Sequence, residues 1–371
     1  MSTSTSFPQP EAGTDTRAPV MFLRWVAVTF VLIAALNIGL SLRFGPIRGD
    51  LARVGGFAEL DYRPGVPQAD ARIAPNTVAL ADADVVVLGD SFSNKLLWQG
   101  ELEALTGQRT LTFQYGQVGC ISNFLHWLHG MQLKPGAQVI LESSERSFVA
   151  RFNQMAECPK FTPVPVHRHL ESGPKPWFDP DLSLDIVYQG RVLLNSVRLG
   201  KQDVYRAGET VNVALKREDR FTNHRSDRLM YHIDDEGKND WTPSQLANAL
   251  AGLKAEQAAF AASGQKLSML VMPDKSSVYR DDIVAPRTRF SSATRDLQSA
   301  GLFGMDTLAC FRTLATAMPD FYLPDDTHVS PNGFRLAAAS LAHGQQCAAP
   351  AASAPASAAL NCRCRRGRAG T

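Results

Sequence analysis

From Trp25 to Leu42 the chain runs through 18 consecutive uncharged residues rich in Val, Leu, Ile, Ala and Phe, with no polar face. That is close to the roughly 20 residues a helix needs to cross a bilayer. The stretch follows a polar, Pro-containing tail, and Asn37-Ile38-Gly39-Leu40-Ser41 supplies no Ala-x-Ala-like cleavage site. The pattern therefore predicts an uncleaved membrane helix rather than a signal peptide or a core helix. Farther along, the apolar runs shorten. Residues 84–88 read as a buried strand, and after a polar turn Leu96, Leu97, Leu102 and Leu105 recur at helical spacing within 94–106, which Gly107 ends. Residues 110–114 read as a second strand and 115–120 as a turn; Phe124, Leu125 and Leu128 then mark a helix face. Pro135-Gly136 introduces a strand at 138–141.

The order β, α, β, α, β predicts a parallel sheet with crossover helices, and functional groups at the C-terminal ends of its strands. The pattern returns at Thr242-Pro243-Ser244-Gln245, where a capping Thr, a Pro at the first helical position and a Gln at the third open a long helix that Gly264 closes. A buried strand at 266–272 and helical segments around 291–300, 306–317 and 333–342 complete the domain. In between, Pro, Arg, His and aromatic residues mix without steady periodicity, which reads as an insertion covering the sheet edge. The expected organisation is a disordered tail at 1–20, a transmembrane helix at 21–43, an α/β domain at 48–346 with an insertion around 155–240, and a disordered C-terminal tail at 347–371, of which 348–359 are only Ala, Pro and Ser.

Lys and Arg total 38 against 36 Asp and Glu, a balance of +2 that gives no electrostatic reason to bind nucleic acid. Cys120, Cys158, Cys310 and Cys347 form an even set that suits an oxidising compartment, with Cys120–Cys158 and Cys310–Cys347 as candidate bridges. Arginines flank the apolar stretch on both sides and leave its orientation open. His126 and His129 have helical i, i+3 spacing but no third ligand nearby, and no phosphate-binding or dinucleotide loop is present, so neither a metal nor a cofactor is expected. Trp127, Trp177 and Trp241 are sugar-stacking candidates, although a Trp on an amphipathic element is more often a packing residue.

Two short runs carry chemistry. Gly89-Asp90-Ser91-Phe92-Ser93 places the Ser91 hydroxyl at a strand-to-helix turn, near the positive end of the following helix. Pro324-Asp325-Asp326-Thr327-His328 offers an imidazole beside two carboxylates. Together these resemble the SGNH, or GDSL-like, hydrolase superfamily, whose early Gly-Asp-Ser supplies a nucleophile and whose late Asp-x-x-His supplies the rest of a triad. The resemblance implies a three-layer α/β fold with a parallel sheet flanked by helices. It assigns Ser91 as nucleophile, His328 as general base and acid, and Asp325 as the orienting carboxylate. Asp326 is the rival, because its Asp-Thr-His spacing resembles the alginate O-acetyltransferases of the same superfamily, and the sequence leaves the choice open.

Gly119 stands where the superfamily places an oxyanion-binding glycine, with Gly116 as the alternative. The Asn expected after the next strand is missing: that segment reads Leu141-Glu142-Ser143-Ser144-Glu145-Arg146. Its Glu-x-x-Glu-Arg pattern resembles the acetyltransferase branch found in bacterial exopolysaccharide modification, as do the segments from Gly49 to Glu59 and from Met272 to Tyr279. Arg146 and Lys275 then become candidates for binding an oxyanion or a sugar carboxylate, against structural ion pairing with Glu142 or Glu145.

The resemblance implies a membrane-anchored acyltransferase that moves an acetyl group through an acyl-serine onto a polysaccharide acceptor. Its expected place is the inner membrane, single-pass, with the large domain in the periplasm, and its expected partner is a multi-pass membrane acyltransferase that supplies acetyl groups. The same triad also suits a carbohydrate esterase, and a degenerate one would suit a non-catalytic glycan-binding assembly protein.

Overall fold

The computed structural model describes residues 17–45, 48–68, 70–118, 120–153, 185–200, 202–289, 291–342 and 347. The apolar stretch forms helix α1 (Arg17–Phe44), followed by the short helices α2 (Asp50–Gly55) and α3 (Glu59–Tyr62). Then come β1 (Val85–Gly89), α4 (Ser91–Asn94), α5 (Leu97–Thr106), β2 (Thr110–Gln114), α6 (Tyr115–Val118), α7 (Ile121–His129), β3 (Gln138–Ser144) and α8 (Phe148–Phe152). After α9 (Ile186–Leu199) lie β4 (Val204–Ala207), β5 (Thr210–Ala214) and β6 (Arg228–His232). The chain ends with α10 (Pro243–Ala262), β7 (Lys266–Met272), α11 (Lys275–Val278), α12 (Ala293–Ser299), α13 (Thr307–Ala317) and α14 (Pro331–Ala342).

The fold is α/β. Four parallel strands run in the order β2-β1-β3-β7, with Leu88 of β1 level with Phe113 and Leu141 on either side. Continuous apolar strands such as Val-Val-Val-Leu suit a sheet covered on both faces. Side-chain alternation splits β1 between two cores: Val85 and Val87 pack with Trp98, Phe311 and Phe334, whereas Val86 and Leu88 pack with Phe124, Leu253 and Leu297. Helices thus form the outer layers, and the C-terminal ends of β1, β2, β3 and β7 open on one edge. Thr242 caps α10 with a complete capping box, Gln245 answering the Thr242 N–H, as the sequence pattern predicts.

Two expectations need correction. The helix predicted across 94–106 is broken: Leu96 has φ 56°, and its buried side chain holds the chain in a left-handed turn between α4 and α5. The region read as aperiodic contains, in its described part, an antiparallel sheet ordered β4-β5-β6. Its alternation is masked because both faces are buried. Val211 and Val213 join the core containing Val85, while Thr210 Oγ1 donates to Leu51 O at 2.8 Å and Asn212 Nδ2 donates to Tyr62 OH at 2.8 Å. The polar face of β5 is therefore the seat of α2 and α3, the segment that follows the apolar helix.

Candidate active site

The edge of β1 is built around an unusual buried acid. Glu142, at the end of β3, is fully buried, and its Oε2 accepts from Asp90 N at 3.0 Å and Ser93 Oγ at 2.8 Å. Burial, reinforced by the charge of Asp90, pushes its carboxyl well above the usual range. A β-carbon at Gly89 would collide with Ser93 and Glu142, which explains the glycine. Asp90 caps the next turn by accepting from Phe92 N at 3.1 Å, and its Oδ2 accepts from Ser144 N at 2.8 Å and Arg151 Nη1 at 2.6 Å. Burial would raise the Asp90 carboxyl, but the Arg151 charge and these hydrogen bonds outweigh it and hold the carboxyl low. Ser91 begins α4, is exposed, and its hydroxyl makes no hydrogen bond among the described residues. The helix behind it is a single turn, shorter than the sequence implied.

His328 sits in a tight loop closed by the bridge between Tyr322 and Val329. Its ring packs against Phe92, the neighbour of Ser91, with centroids 4.9 Å apart. This contact brings the two motifs together across most of the chain's length. Asp326, not Asp325, meets the imidazole: its Oδ1 lies 2.5 Å from Nδ1 and also accepts the His328 main-chain N–H at 2.9 Å. Burial alone would raise the Asp326 carboxyl, but the hydrogen bonds and charge of His328 hold it far below the usual range. A proton on Nδ1 shared with Asp326 leaves Nε2 as the acceptor, and Nε2 is buried with no hydrogen-bond partner. That is the arrangement a general base requires.

Asp325 points elsewhere. It shares a hydrogen bond with Glu59 of α3, whose carboxyl is pushed up to about 9 by burial and by Asp325 itself. The main-chain oxygen of Asp325 accepts from Leu51 N and Ala52 N at 3.1 and 3.2 Å. Lys275 secures the same loop from the other side, donating to the carbonyls of Leu323, Pro324 and Asp326 at 2.6, 2.9 and 3.2 Å. Its ammonium is brought down to about 8 by burial, against the pull of Asp325, Asp326 and Asp50. Asp50, Asp326 and His328 have ligand atoms within 4.8 Å of one another. Hydrogen bonds to Thr327 and His328 account for that grouping without a metal.

Arg146 does not pair with Glu142 or Glu145. It hydrogen-bonds Asp235 at 3.1 Å and lies 3.7 Å from Asp274, in a buried cluster where Lys238 holds Asp274 at 2.5 Å and Glu145 at 3.3 Å. The arginine on the Ser91 turn is Arg151, which the sequence did not single out; besides Asp90 it binds Ser143 Oγ at 2.7 Å and stacks 4.4 Å above the Tyr115 ring. Only its proximity to Phe148 and Phe152 along one helix turn signalled a half-buried role. Gly119, Cys158 and Trp177 lie outside the described residues. Trp127 packs against Phe113 and Phe124, and His129 against Phe260. Cys310 and Cys347 form a disulfide, and Cys120 is also disulfide-bonded. A cavity of about 550 Å³ lined by Gln138, Lys266 and Ser268 opens at the opposite, N-terminal ends of β3 and β7 and shares no residue with this site.

Residues 230–362 match the family model for the SGNH hydrolase-like domain of acetyltransferase AlgX. The matched segment holds Asp325, Asp326 and His328, and Ser91 precedes it. The match supports the resemblance to the alginate O-acetyltransferase branch of the SGNH superfamily drawn from the two motifs. No curated protein and no solved structure gives a significant match.

Proposed function

We propose that the chain is a serine-dependent O-acyltransferase, held at a membrane by α1, that transfers an acetyl group onto an extracytoplasmic polysaccharide. The observation that carries this reading is the Asp326–His328 pair with an unpartnered Nε2, packed on Phe92, the neighbour of the exposed Ser91. In the first half-reaction Ser91 Oγ bonds to the acyl carbonyl carbon and its proton passes to His328 Nε2. The bond to the donor oxygen then breaks, and that oxygen takes the proton from His328. In the second, a sugar hydroxyl gives its proton to Nε2 and attacks the acyl-serine, whose oxygen recovers the proton as the new ester departs. Asp326 holds the imidazole in the tautomer that both halves need.

Several features support the membrane part of this reading. Helix Pro19–Phe44 is long and apolar enough to cross a membrane, and only 11% of its most apolar window is buried, unlike a core helix. Its C-terminal end is bonded to the folded domain, as expected of a retained helix. Disulfides suit an oxidising compartment such as the periplasm. Activated acetyl groups are made in the cytoplasm, so a multi-pass membrane acyltransferase is the partner this reading requires.

The test is a comparison of acceptors. Purified full-length protein with a soluble acetyl ester should form glycan esters faster than it releases acetate, and Ser91→Ala or His328→Ala should lower either rate by about 10⁴–10⁶. Acetate release alone, undiminished by glycan, would make the protein an esterase. Unchanged turnover in folded Ser91→Ala would remove the serine mechanism.

A further inference from the structure

Helix α9 has its polarity inside out. The face it turns to the protein carries Tyr188, Gln189, Val192, Asn195 and Leu199, while Ile186, Val187, Leu193, Leu194 and Val197 are exposed, Val197 to 81%. A water-facing helix of a soluble domain shows the reverse arrangement. Donors on the inner face are directed at specific partners. Gln189 Nε2 donates to Asn37 O at 3.2 Å, Asn37 Oδ1 at 3.1 Å and Ser41 Oγ at 2.7 Å, all on α1. Asn195 Nδ2 donates to Gly55 O at 2.7 Å and Gly56 O at 3.0 Å, and Tyr188 OH donates to Phe57 O at 2.5 Å. Tyr188 and Val192 also pack with Phe44, Ala58 and Leu40. This seam accounts for two polar residues in the C-terminal part of α1: Asn37 and Ser41 are buried against α9 rather than turned to lipid.

We infer that α9 lies in the lipid bilayer surface, its exposed apolar face seated at the boundary of headgroups and acyl chains beside α1. The inference rests on α1 being a retained membrane helix. Depth, apolar exposure and charge then converge on lipid as the occupant. The contacts with α9 fall on the last eight residues of α1, between Asn37 and Phe44. At 1.5 Å per residue that is within about 10 Å of the end of α1, the depth at which interfacial helices lie. Leu36, Ile38 and Leu42, exposed apolar residues of α1, neighbour in sequence the Asn37 and Ser41 that bond α9. Arg191 and Arg198 are exposed on α9, where long cationic side chains reach phosphate headgroups while their stems stay among apolar groups; Arg43 at the end of α1 is exposed but paired with Asp61 at 3.3 Å. Two membrane contacts instead of one would fix the tilt of the domain above the bilayer, and with it the height of the Ser91 edge.

Spin-label accessibility decides the matter. The full chain, with Cys362 and Cys364 replaced by Ser, is reconstituted in nanodiscs of phosphatidylcholine and phosphatidylglycerol. Single nitroxides are placed at Val197→Cys on α9, Leu32→Cys on α1 and Glu218→Cys on an exposed loop; all three positions are exposed, so the fold tolerates the label. Oxygen concentrates in acyl chains and a nickel chelate stays in water. The oxygen-to-nickel ratio at Val197 is expected to be several-fold above that at Glu218 and below that at Leu32. A ratio at Val197 equal to that at Glu218, with Leu32 in lipid, overturns the inference and leaves the membrane helix standing. Shielding of Val197 from both reagents means that a protein, such as a second copy or a membrane partner, covers the face, and also overturns it. An aqueous Leu32 removes the membrane helix and the inference together.

Discussion

Asp50 grips Thr327 with both carboxylate oxygens, Oδ1 accepting the main-chain N–H at 2.8 Å and Oδ2 the hydroxyl at 2.6 Å. The two residues are 277 positions apart. A residue six positions past the apolar helix thus fixes the residue before His328, and its Oδ2 lies 3.9 Å from His328 Nδ1. The segment after the apolar helix is built into the loop that carries His328.

Removing that grip should loosen the imidazole without touching substrate. Asp50→Ala is expected to lower kcat roughly 10–100-fold, the scale of a hydrogen bond to a charged group worth about 1.5–3 kcal/mol, with KM little changed. Asp50→Glu should recover part of the loss, because a carboxylate is restored on a longer stem. Equal kcat in wild type and folded Asp50→Ala would show that Asp326 alone positions His328.

The two adjacent aspartates should separate cleanly. Asp326→Asn is expected to cost about 10⁴ in kcat by disturbing the tautomer of His328. Asp325→Asn should cost less than about tenfold, because that side chain faces Glu59 and its loop is also held through main-chain atoms. Acyl-serine formation measured in a stopped-flow burst with both variants reads the difference; a larger loss for Asp325→Asn would reverse the assignment.

Why the sequence left this pair open is a matter of tertiary contacts. Spacing to the histidine is two residues for one aspartate and three for the other, and either reaches an imidazole in some loop. The loop actually formed is pinned by Lys275 on three carbonyls and by Leu51 N and Ala52 N on the Asp325 carbonyl, which turns Asp325 toward Glu59. None of those partners is local. Strands buried on both faces were the opposite case: β2 and β7 have the bounds their apolar runs predicted, and Thr242 with Gln245 marked the start of α10. The sheet β4-β5-β6 escaped notice because Thr210, Asn212 and Arg228 are buried polar residues, legible as strand positions only once Leu51 and Tyr62 are seen to satisfy their neighbours.

Arg146 and Arg151 should have opposite signatures. Arg146→Ala breaks a buried ion pair with Asp235 and is expected to destabilise the fold by about 3–5 kcal/mol, with near-normal acyl-serine formation in the protein that remains folded. Arg151→Lys keeps the charge beside Asp90 but loses the planar stacking on Tyr115 and the fixed fork of donors. It should leave melting near wild type while lowering kcat/KM, since the Ser91 turn hangs on Asp90. A catalytic loss in Arg146→Ala that exceeds the loss in folded protein would return it to the oxyanion.

The Glu59–Asp325 pair makes stability depend on pH in a direction opposite to that of an ordinary salt bridge. The Glu59 carboxyl is pushed from the ordinary 4.5 up to about 9 in the folded protein, so between these limits the native protein keeps a proton that the unfolded chain releases. The unfolded state then binds fewer protons, and stability falls as pH rises through that window. Asp274, raised to about 7 chiefly by burial, acts in the same direction at the lower end. Lys275 acts in the opposite direction, but only between about 8 and 10.5, where the unfolded chain holds the proton that the native ammonium has lost. The net fall should therefore be clearest from about pH 5 to 8. Glu59→Gln keeps a donor toward Asp325 and an acceptor for Gly49 N while removing the titration. Its Tm, measured in nanodiscs across that range, is expected to decline less than that of the wild type, and parallel curves for the two proteins would mean that Glu59 does not hold its proton in the native state.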